Sequence, residues 1–206
     1  MKEKDDIRYK ALSYLIKKLN CKFLGDFASG GEIMKNFLPK NIKYKSFDYP
    51  RFNLEKSFLI QEEIDCAISQ EVIEHLRNPR IFLHSLNKSL KNKTKLILTI
   101  PNSSFIKYRL QFLLGKNPDT FMGPSVEISL FGKSYYKLSK KEKLSSDFML
   151  HVRSYNFKEI KKMLELENFE VLKRFKLKYN GLKGFLLKML PLNFSGYHFI
   201  LAELKK

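Results

Sequence analysis

The sequence predicts an α/β fold built on a Rossmann-like, doubly wound sheet. Two apolar runs, Asp65–Ser69 and Lys95–Ile100, are separated by a helical pattern over Pro79–Leu90, which is the alternation of a parallel sheet. A short apolar segment before the small-residue turn Gly30-Gly31 starts the same alternation earlier in the chain. We therefore expect three α/β/α layers, with helices on both faces of the sheet.

The first half of the sheet is predicted in chain order. Apolar residues at helical spacing indicate an N-terminal helix over 5–19, and Cys21–Phe27 is expected to be the first strand. Glu32–Leu38 is expected to be a helix, and Ile42–Phe47 the second strand. The segment 49–63 is too short for a full helix and a full third strand, so we expect this sheet edge to be abbreviated.

The second half ends in an antiparallel hairpin. Gln70–Leu76 is predicted to form the first turns of a helix, and Phe157–Leu166 has apolar residues at helical spacing. Phe169–Leu177 and Tyr197–Leu204 alternate as strands near the C-terminus. The sequence as a whole predicts a seven-stranded, mostly parallel sheet with this hairpin at one edge.

The chain is expected to be a single domain over 1–206 with one insertion at about 103–150. Gly115, Pro118, Gly123 and Pro124 break the helical pattern inside the insertion. We interpret the insertion as lid-like, with a plain disordered loop as the alternative. The apolar stretch Gly181–Pro191 fits either packing under the last hairpin or peripheral membrane contact.

Composition places the chain among ordinary globular proteins. Its 206 residues are 44% hydrophobic, enough for one core, and no apolar run reaches the length of about 20 residues that spans a membrane. The charged N-terminus has no apolar segment behind it, so we expect a cytoplasmic location. Cys21 and Cys66 both fall in predicted buried strands, and we interpret them as reduced core residues.

The net charge of +18 admits two explanations. It favours attraction to nucleic acid, anionic lipid or an acidic substrate. The alternative explanation is a lysine-rich composition without a dedicated binding surface. Lysines are spread along the whole chain, without one dominant basic block. We favour the compositional explanation, so nucleic acid is a less favoured partner.

The turn after the first predicted strand is a candidate ligand loop. Asp26-Phe27-Ala28-Ser29-Gly30-Gly31 has the small residues that let a backbone turn sharply and a ligand come close. Ala28 stands where such loops often have glycine, and we expect it to be tolerated only with a negative φ angle.

Asp48 ends the second predicted strand at the distance from the loop at which a carboxylate meets ribose hydroxyls in nucleotide-binding α/β folds. The alternative is a turn-forming Asp before Tyr49-Pro50. For NAD(P) the loop has too few glycines, and Glu32 would repel a diphosphate at the helix N-terminus. An acidic rim suits a cationic sulfonium better.

Four segments carry a resemblance to a known family: Leu24–Gly31, Ile64–Leu76, Leu96–Asn102, and His151–Tyr155 followed by Leu164–Leu172. They resemble the cofactor loop, the strand-four segment, the strand-five end and a late segment of class I S-adenosylmethionine-dependent methyltransferases. The similarity is to the small enzymes of the ubiquinone-biosynthesis, type 11 and type 23 kind.

The resemblance implies S-adenosylmethionine as the cofactor. Asp26, Ala28 and Gly30 would flank its methionine moiety, while Asp48 would hold the ribose and Asn53 would contact the adenine. The implied cofactor-binding residues are Asp26, Ala28, Ser29, Gly30, Gly31, Asp48, Asn53, Ser69, Gln70 and Glu71.

The acceptor side is predicted to carry the acid–base groups. Glu71, Glu74 and His75 would share one face of a helix, as base and orienter or as holders of a divalent metal, and helix capping is the alternative. His151 and Arg153 are candidates for substrate binding, with His151 also a candidate catalytic residue. No Cys/His metal spacing is present, and we assign no metal ligands from the sequence alone.

The function predicted from these features is methyl transfer to a small-molecule, sugar or glycolipid acceptor, with O-methylation in polysaccharide biosynthesis as the specific expectation. One alternative is a nucleic-acid or protein methyltransferase, favoured by the charge. Against it, the strand ends in Ser69-Gln70-Glu71 instead of an Asn/Asp-Pro-Pro-aromatic motif. A non-catalytic binding module, suggested by Ala28, is the other alternative. The oligomeric state is not predicted.

Overall fold

The computed structural model describes residues 3–115, 151–176 and 191–206. Within these ranges the chain forms a six-stranded sheet flanked by four α-helices. The predicted lid is described only over 103–115, and its remainder, like most of the Gly181–Pro191 stretch, lies outside the described residues. In the part that is described, no helix combines the length and apolarity that crossing a membrane requires.

The sheet has the strand order β2-β1-β3-β4-β6-β5. The strands are β1 (Phe23–Phe27), β2 (Lys43–Phe47), β3 (Cys66–Gln70), β4 (Lys95–Pro101), β5 (Phe169–Phe175) and β6 (Tyr197–Leu204). The first four are parallel, while β6 lies antiparallel between β4 and β5. The doubly wound prediction and its antiparallel edge hairpin are therefore confirmed.

The expected number of seven strands is wrong for the described residues, which contain six. The chain between β2 and β3 runs through turns and irregular structure and adds no strand. The abbreviated edge predicted for 49–63 accounts for the difference. β2 is consequently the edge strand on this side of the sheet.

Helices cover both faces of the sheet, as predicted. They are α1 (Glu3–Lys18), α2 (Pro79–Ser89), α3 (Ile106–Leu113) and α4 (Phe157–Leu166). Leu12 and Ile16 of α1 are fully buried in one apolar cluster, and α2 and α4 contribute to a second, larger one. Burial of each such side chain stabilises the fold by about 1.5–3 kcal/mol.

Two predicted helices are shorter than expected. The segment after β1 forms a 3-10 helix over Ile33–Phe37, and the one after β3 forms a single 3-10 turn over Ile73–His75. Glu71 has a positive φ angle of 53°, so a right-handed helix that starts at Gln70 cannot continue through it. Pro79 keeps the residue before it out of helical geometry. Only one turn therefore fits between Glu71 and α2.

The two parts of the chain that flank the undescribed segment 116–150 meet at the end of β4. Tyr155 forms an isolated parallel bridge with Asn102, and its carbonyl oxygen accepts from the N–H of Ser103 at 3.0 Å. Immediately afterwards α4 begins with a capping box, in which Asn156 and Glu159 satisfy each other's backbone N–H groups. The late segment is thereby held at the carboxyl edge of the sheet.

Candidate functional site

The carboxyl ends of the parallel strands form one edge of the sheet. The chain leaves β1 towards β2 on one side and returns to β3 on the other side of β1. Such a topological switch point opens a crevice where doubly wound proteins bind their ligands. The loops after β1, β2 and β3 border this crevice, and they contain most of the site residues that the sequence predicts.

The loop after β1 is built from left-handed residues. Ala28, Gly30, Gly31 and Glu32 have φ angles of 57°, 59°, 94° and 60°. The expectation of a negative φ for Ala28 is therefore wrong. Its N–H donates to the carbonyl oxygen of Phe47 at 2.9 Å, which ties the loop to the end of β2. A Cβ in this region costs about 1–2 kcal/mol, and strain of this kind is concentrated at functional sites.

Asp48 organises this loop. Its Oδ2 accepts from the Ser29 hydroxyl at 3.2 Å and from the Gly30 N–H at 3.0 Å, and its Oδ1 accepts from the Tyr49 N–H at 2.9 Å. The Ser29 hydroxyl also lies 2.9 Å from that of Ser46. An ionised carboxylate has about four acceptor positions. Asp48 therefore holds the loop and still has capacity for one further donor.

Asp26 lies beneath the loop and is 1% exposed. Burial raises the pKa of its carboxyl to about 7, although the hydrogen bond donated by the Tyr44 hydroxyl at 2.8 Å opposes that rise. The negative charges of Asp48 and Glu32 raise the pKa further. A cation bound in the crevice would favour the ionised form of Asp26.

A cavity of about 620 Å³ opens beside the end of β2. Asp48 lines it, together with the aromatic side chains of Phe47, Tyr49 and Phe52. Asn53 is not among the lining residues; its Oδ1 accepts from the Glu55 N–H at 2.9 Å. The structure thus places Asp48 at a cavity lined by both aromatic and charged side chains, and it gives Asn53 a local turn contact.

The end of β3 presents polar atoms without protein partners. Ser69 Oγ and Gln70 Oε1 are buried and have no hydrogen-bond partner among the described residues, and Thr99 Oγ1 on the neighbouring strand is in the same state. Buried polar atoms are almost always hydrogen-bonded in folded proteins. These three atoms are therefore candidates for hydrogen bonds to a bound ligand.

Arg8 is a candidate site residue that was not among those predicted from the sequence. It lies on α1 and forms an ion pair with Glu71, directly after β3. The side chains are 18% and 33% exposed, so the pair is partly shielded from water. Arg8 precedes the buried Leu12 by one helical turn, so the two residues share a face of α1. A cation on this otherwise apolar face is the sequence feature that could have identified Arg8.

Glu74, His75 and His151 form a second cluster at the same edge. Their ligand-type atoms all lie within 4.8 Å of one another. Glu74 is 1% exposed, and neither of its carboxylate oxygens has a hydrogen-bond partner in the described part of the chain. The predicted grouping of Glu71 with Glu74 and His75 on one α-helical face is wrong. Glu74 and His75 lie in the 3-10 turn, where their side chains are close to His151. Glu71 lies before this turn and forms an ion pair with Arg8.

Backbone hydrogen bonds hold this cluster together. The carbonyl oxygen of Glu74 accepts from the N–H groups of Val152 and Arg153, at 2.9 and 3.0 Å. The Arg153 guanidinium donates to the carbonyl oxygen of Arg77 at 3.0 Å, which is the structural tie that competes with its predicted role in substrate binding. The position of His151 is thereby fixed relative to the end of β3.

Burial makes the cluster unusual in its acid–base chemistry. It raises the pKa of the Glu74 carboxyl to about 8, with a smaller contribution from the negative charge of Glu71. Burial also raises the pKa of Tyr155 to about 12, and its hydroxyl is buried without a partner within the described ranges. A buried carboxyl beside two imidazoles is suited to proton transfer or to binding a cation.

The fold and this edge define a class: doubly wound α/β proteins that bind a nucleoside-containing cofactor at the switch point. Residues 26–174 match the family model for methyltransferase domains, so the chain belongs to that family. The resemblance to class I S-adenosylmethionine-dependent methyltransferases is confirmed, and at the level of the family so is the expected cofactor.

Individual relatives are more distant. The chain is 33% identical over 73 residues to the mitochondrial ubiquinone biosynthesis O-methyltransferase of Dictyostelium discoideum, a match that covers 34% of this chain and 23% of that protein. The chain therefore spans less than a quarter of this relative's length.

Solved structures share the fold. An S-adenosylmethionine-dependent methyltransferase from Clostridium acetobutylicum aligns with a TM-score of 0.63 at 13% identity, covering 100% of this chain and 93% of that one. Magnesium protoporphyrin IX methyltransferase from Synechocystis, solved with bound S-adenosylhomocysteine, aligns with a TM-score of 0.53 at 10% identity, covering 96% and 82%.

Proposed function

We propose that this chain transfers a methyl group from S-adenosylmethionine to a hydroxyl group of a small-molecule, sugar or glycolipid acceptor. The observation that carries the proposal is the buried Glu74 carboxylate, with two unpartnered oxygens, beside His75 and His151. The name of the Dictyostelium relative, an O-methyltransferase, supports oxygen as the accepting atom. Sugar methylation in polysaccharide synthesis by a cytoplasmic enzyme is the more specific form of this proposal.

The proposed cofactor site runs along the loops after β1 and β2. Asp48 has acceptor capacity for a ribose hydroxyl, and the aromatic walls of the adjoining cavity suit an adenine ring. Asp26 and Glu71 supply negative charge near the sulfonium, and Arg8 supplies the cation for the methionine carboxylate. The partnerless Ser69 and Gln70 oxygens would accept from the methionine amino group.

The proposed reaction is an in-line displacement. The acceptor oxygen forms a bond to the methyl carbon as the carbon–sulfur bond breaks, so the sulfonium becomes the neutral thioether of S-adenosylhomocysteine. The acceptor hydroxyl gives up its proton, and His75 or His151 is placed to take it as general base. Glu74 would orient that imidazole. The positive charge of the protonated ring favours the ionised form of Glu74, which would in turn stabilise the imidazolium.

The same cluster fits a divalent cation. One carboxylate and two imidazoles are a suitable set of ligands, and the unpartnered Glu74 oxygens lie within the 4.8 Å group. Glu74, His75 and His151 would be the ligands. A bound cation would lower the pKa of the acceptor hydroxyl.

Calorimetric titration with S-adenosylmethionine and S-adenosylhomocysteine tests the cofactor half of the proposal, with NADH as the control. Micromolar binding of the first two and none of NADH is the expected result. A folded protein that binds neither would overturn the proposal and leave the binding-module alternative.

Transfer of a labelled methyl group tests the acceptor half. Sugars, glycolipids and phenols are offered in parallel with RNA, DNA and protein. Methylation of a hydroxyl compound that is lost in the His151→Ala variant is the expected result. Loss of activity with EDTA and its recovery with Mn²⁺ would favour the bound cation over the general base. Methylation confined to nucleic acid or protein would refute the proposed acceptor while retaining the cofactor.

A further inference from the structure

Two cysteines and an aspartate meet at the amino edge of the sheet, where the parallel strands begin. The sulfur atoms of Cys21 and Cys66 and a carboxylate oxygen of Asp65 all lie within 4.8 Å of one another. Cys21 lies between α1 and β1, and Cys66 is the first residue of β3. The cysteines are far apart in the sequence, so the fold brings them together. We call Cys21, Asp65 and Cys66 the amino-edge cluster.

Backbone hydrogen bonds hold two members of the amino-edge cluster in place. The Asp65 carboxylate accepts from the N–H of Lys22 at 3.0 Å and from the N–H of Phe23 at 3.1 Å. The N–H of Cys21 donates to the carbonyl oxygen of Ile16 at 3.3 Å, which ties this cysteine to the end of α1. Hydrogen bonds of this kind orient the ligands of metal ions in proteins.

The thiols of the cluster are buried and carry their protons. Both cysteines are free, and they are 6% and 2% exposed. The Cys21 thiol donates to Asp65 Oδ1 at 3.3 Å. The hydrogen bond with Cys66 raises the pKa of the Cys21 thiol, and burial and the negative charge of Asp65 raise it further. A cation that entered the cluster would replace these protons, because only thiolates bind metals.

The ligand atoms of the cluster suit zinc. Thiolate sulfur together with carboxylate oxygen is a zinc-type set, whereas Mg²⁺ and Ca²⁺ take oxygen ligands. Zinc binds sulfur at about 2.3 Å and oxygen at about 2.0–2.2 Å, so a tetrahedral ion holds such atoms roughly 3.5–3.8 Å apart. Cys21 Sγ and Asp65 Oδ1 are already 3.3 Å apart, and the whole group fits within 4.8 Å. Small side-chain movements would therefore complete the site.

The strand register favours a metal ion over a disulfide between the two cysteines. In the parallel pairing of β1 with β3, Cys66 lies beside Leu24, three residues beyond Cys21. A disulfide needs Cα atoms about 4.4–6.8 Å apart, which suits residues directly opposite each other on neighbouring strands. A metal ion lies between the sulfur atoms and can join residues that are staggered in this way.

From this geometry we propose that the amino-edge cluster binds one Zn²⁺ ion through the sulfur atoms of Cys21 and Cys66 and the carboxylate of Asp65, with water as the fourth ligand. Binding forms two zinc–sulfur bonds and releases two thiol protons to solvent. The ion would join the end of α1 to β1 and β3 and so stabilise the folded chain. The cluster lies at the opposite end of these strands from the crevice, so this proposal does not depend on the proposed function.

Co²⁺ is the probe, because its bonds to thiolate give a charge-transfer absorption in the near ultraviolet that bonds to carboxylate or imidazole do not give. The chain contains two cysteines, so this absorption can arise only from Cys21 and Cys66. The whole chain is reduced, freed of metal and titrated with Co²⁺ and then with Zn²⁺. We expect Co²⁺ to produce the thiolate absorption and Zn²⁺ to abolish it with submicromolar affinity.

Two alanine variants test the ligands. Cys21→Ala and Cys66→Ala should each weaken Zn²⁺ binding at this site by at least about 100-fold, because losing even a group that orients a ligand costs about 10- to 100-fold. His151→Ala is the control, since it alters the other candidate metal cluster and should leave the thiolate absorption unchanged. Circular dichroism shows whether each variant is folded. Calorimetry of the wild type in two buffers counts the protons released and needs no variant.

The proposal would be overturned if the reduced, metal-free wild type gave no thiolate absorption with Co²⁺. It would equally be overturned if Cys21→Ala kept that absorption and the same affinity for Zn²⁺. A disulfide between Cys21 and Cys66 under mild oxidation, without metal binding by the reduced chain, would also contradict it and make the pair a redox site.

Discussion

The imidazole rings of His75 and His151 lie edge to face, with their centroids 4.8 Å apart and their planes at 71°. One ring follows β3 and the other lies on the segment that returns to the sheet before α4. The contact is fixed by the two N–H groups, of Val152 and Arg153, that donate to the Glu74 carbonyl oxygen. It brings both rings close to the buried Glu74 carboxyl, in the cluster that we propose to act in proton transfer.

Glu74 is expected to lower the stability of the metal-free protein at alkaline pH. Burial raises its pKa to about 8 in the folded state, against an ordinary value of 4.5. Between these values the folded protein keeps a proton that the unfolded chain has lost, so the free energy of unfolding falls as pH rises. Glu74→Gln removes this dependence and should be more stable than the wild type at pH 8 by roughly 4 kcal/mol.

Urea unfolding of both proteins at pH 5 and pH 8, with EDTA present, measures this difference. The Glu74→Gln variant should also lose methyl transfer, since its amide can neither stabilise an imidazolium nor bind a cation well. Equal slopes of stability against pH in the two proteins would contradict the assignment of a protonated, buried Glu74.

Ala28 is expected to be a strained position. Its φ angle of 57° suits glycine, so Ala28→Gly should raise the free energy of unfolding by about 1 kcal/mol after allowing for the greater entropy of the unfolded chain. Ala11→Gly, within α1, is the control and should lower it by about 1 kcal/mol. Thermal unfolding of the two variants measures both changes. If both variants are destabilised, Ala28 is not a strained position.

Asp48 is expected to act on cofactor binding through both the loop and the ribose. Asp48→Ala removes three hydrogen bonds within the protein and the proposed one to ribose, and should weaken S-adenosylmethionine binding by roughly 1–3 kcal/mol without unfolding the protein. Asn53→Ala should have a smaller effect, because Asn53 does not line the cavity. Calorimetry on both variants measures the contrast, and unchanged affinity in Asp48→Ala would refute the ribose assignment.

Arg8 and Glu71 are expected to be coupled. A double-mutant cycle with Arg8→Met and Glu71→Gln should give an interaction energy of roughly 1 kcal/mol in stability, since the pair is only partly shielded. Arg8→Met should also weaken cofactor binding, because the methionine carboxylate loses its proposed cation. If Arg8→Met lowers the free energy of unfolding but leaves cofactor affinity unchanged, Arg8 has only a structural role.

The sequence by itself determined the order of strands and helices in most of the described chain. Apolar runs such as Lys95–Pro101 have a local cause, burial on both faces of a parallel sheet, so a single-sequence pattern can identify them. The carboxyl-edge location of the site followed from that order, because it depends on topology and not on side-chain detail. The position of Asp48 at this edge could be predicted for the same reason.

Only the tertiary structure decided which of the acidic and basic residues meet. Glu71, Glu74 and His75 are neighbours in sequence, yet the positive φ of Glu71 and the single 3-10 turn divide them between two clusters. Their partners, Arg8 on α1 and His151 before α4, come from distant parts of the chain. Contacts of this kind depend on how packed elements bring remote segments together, and local sequence pattern carries no information about that distance.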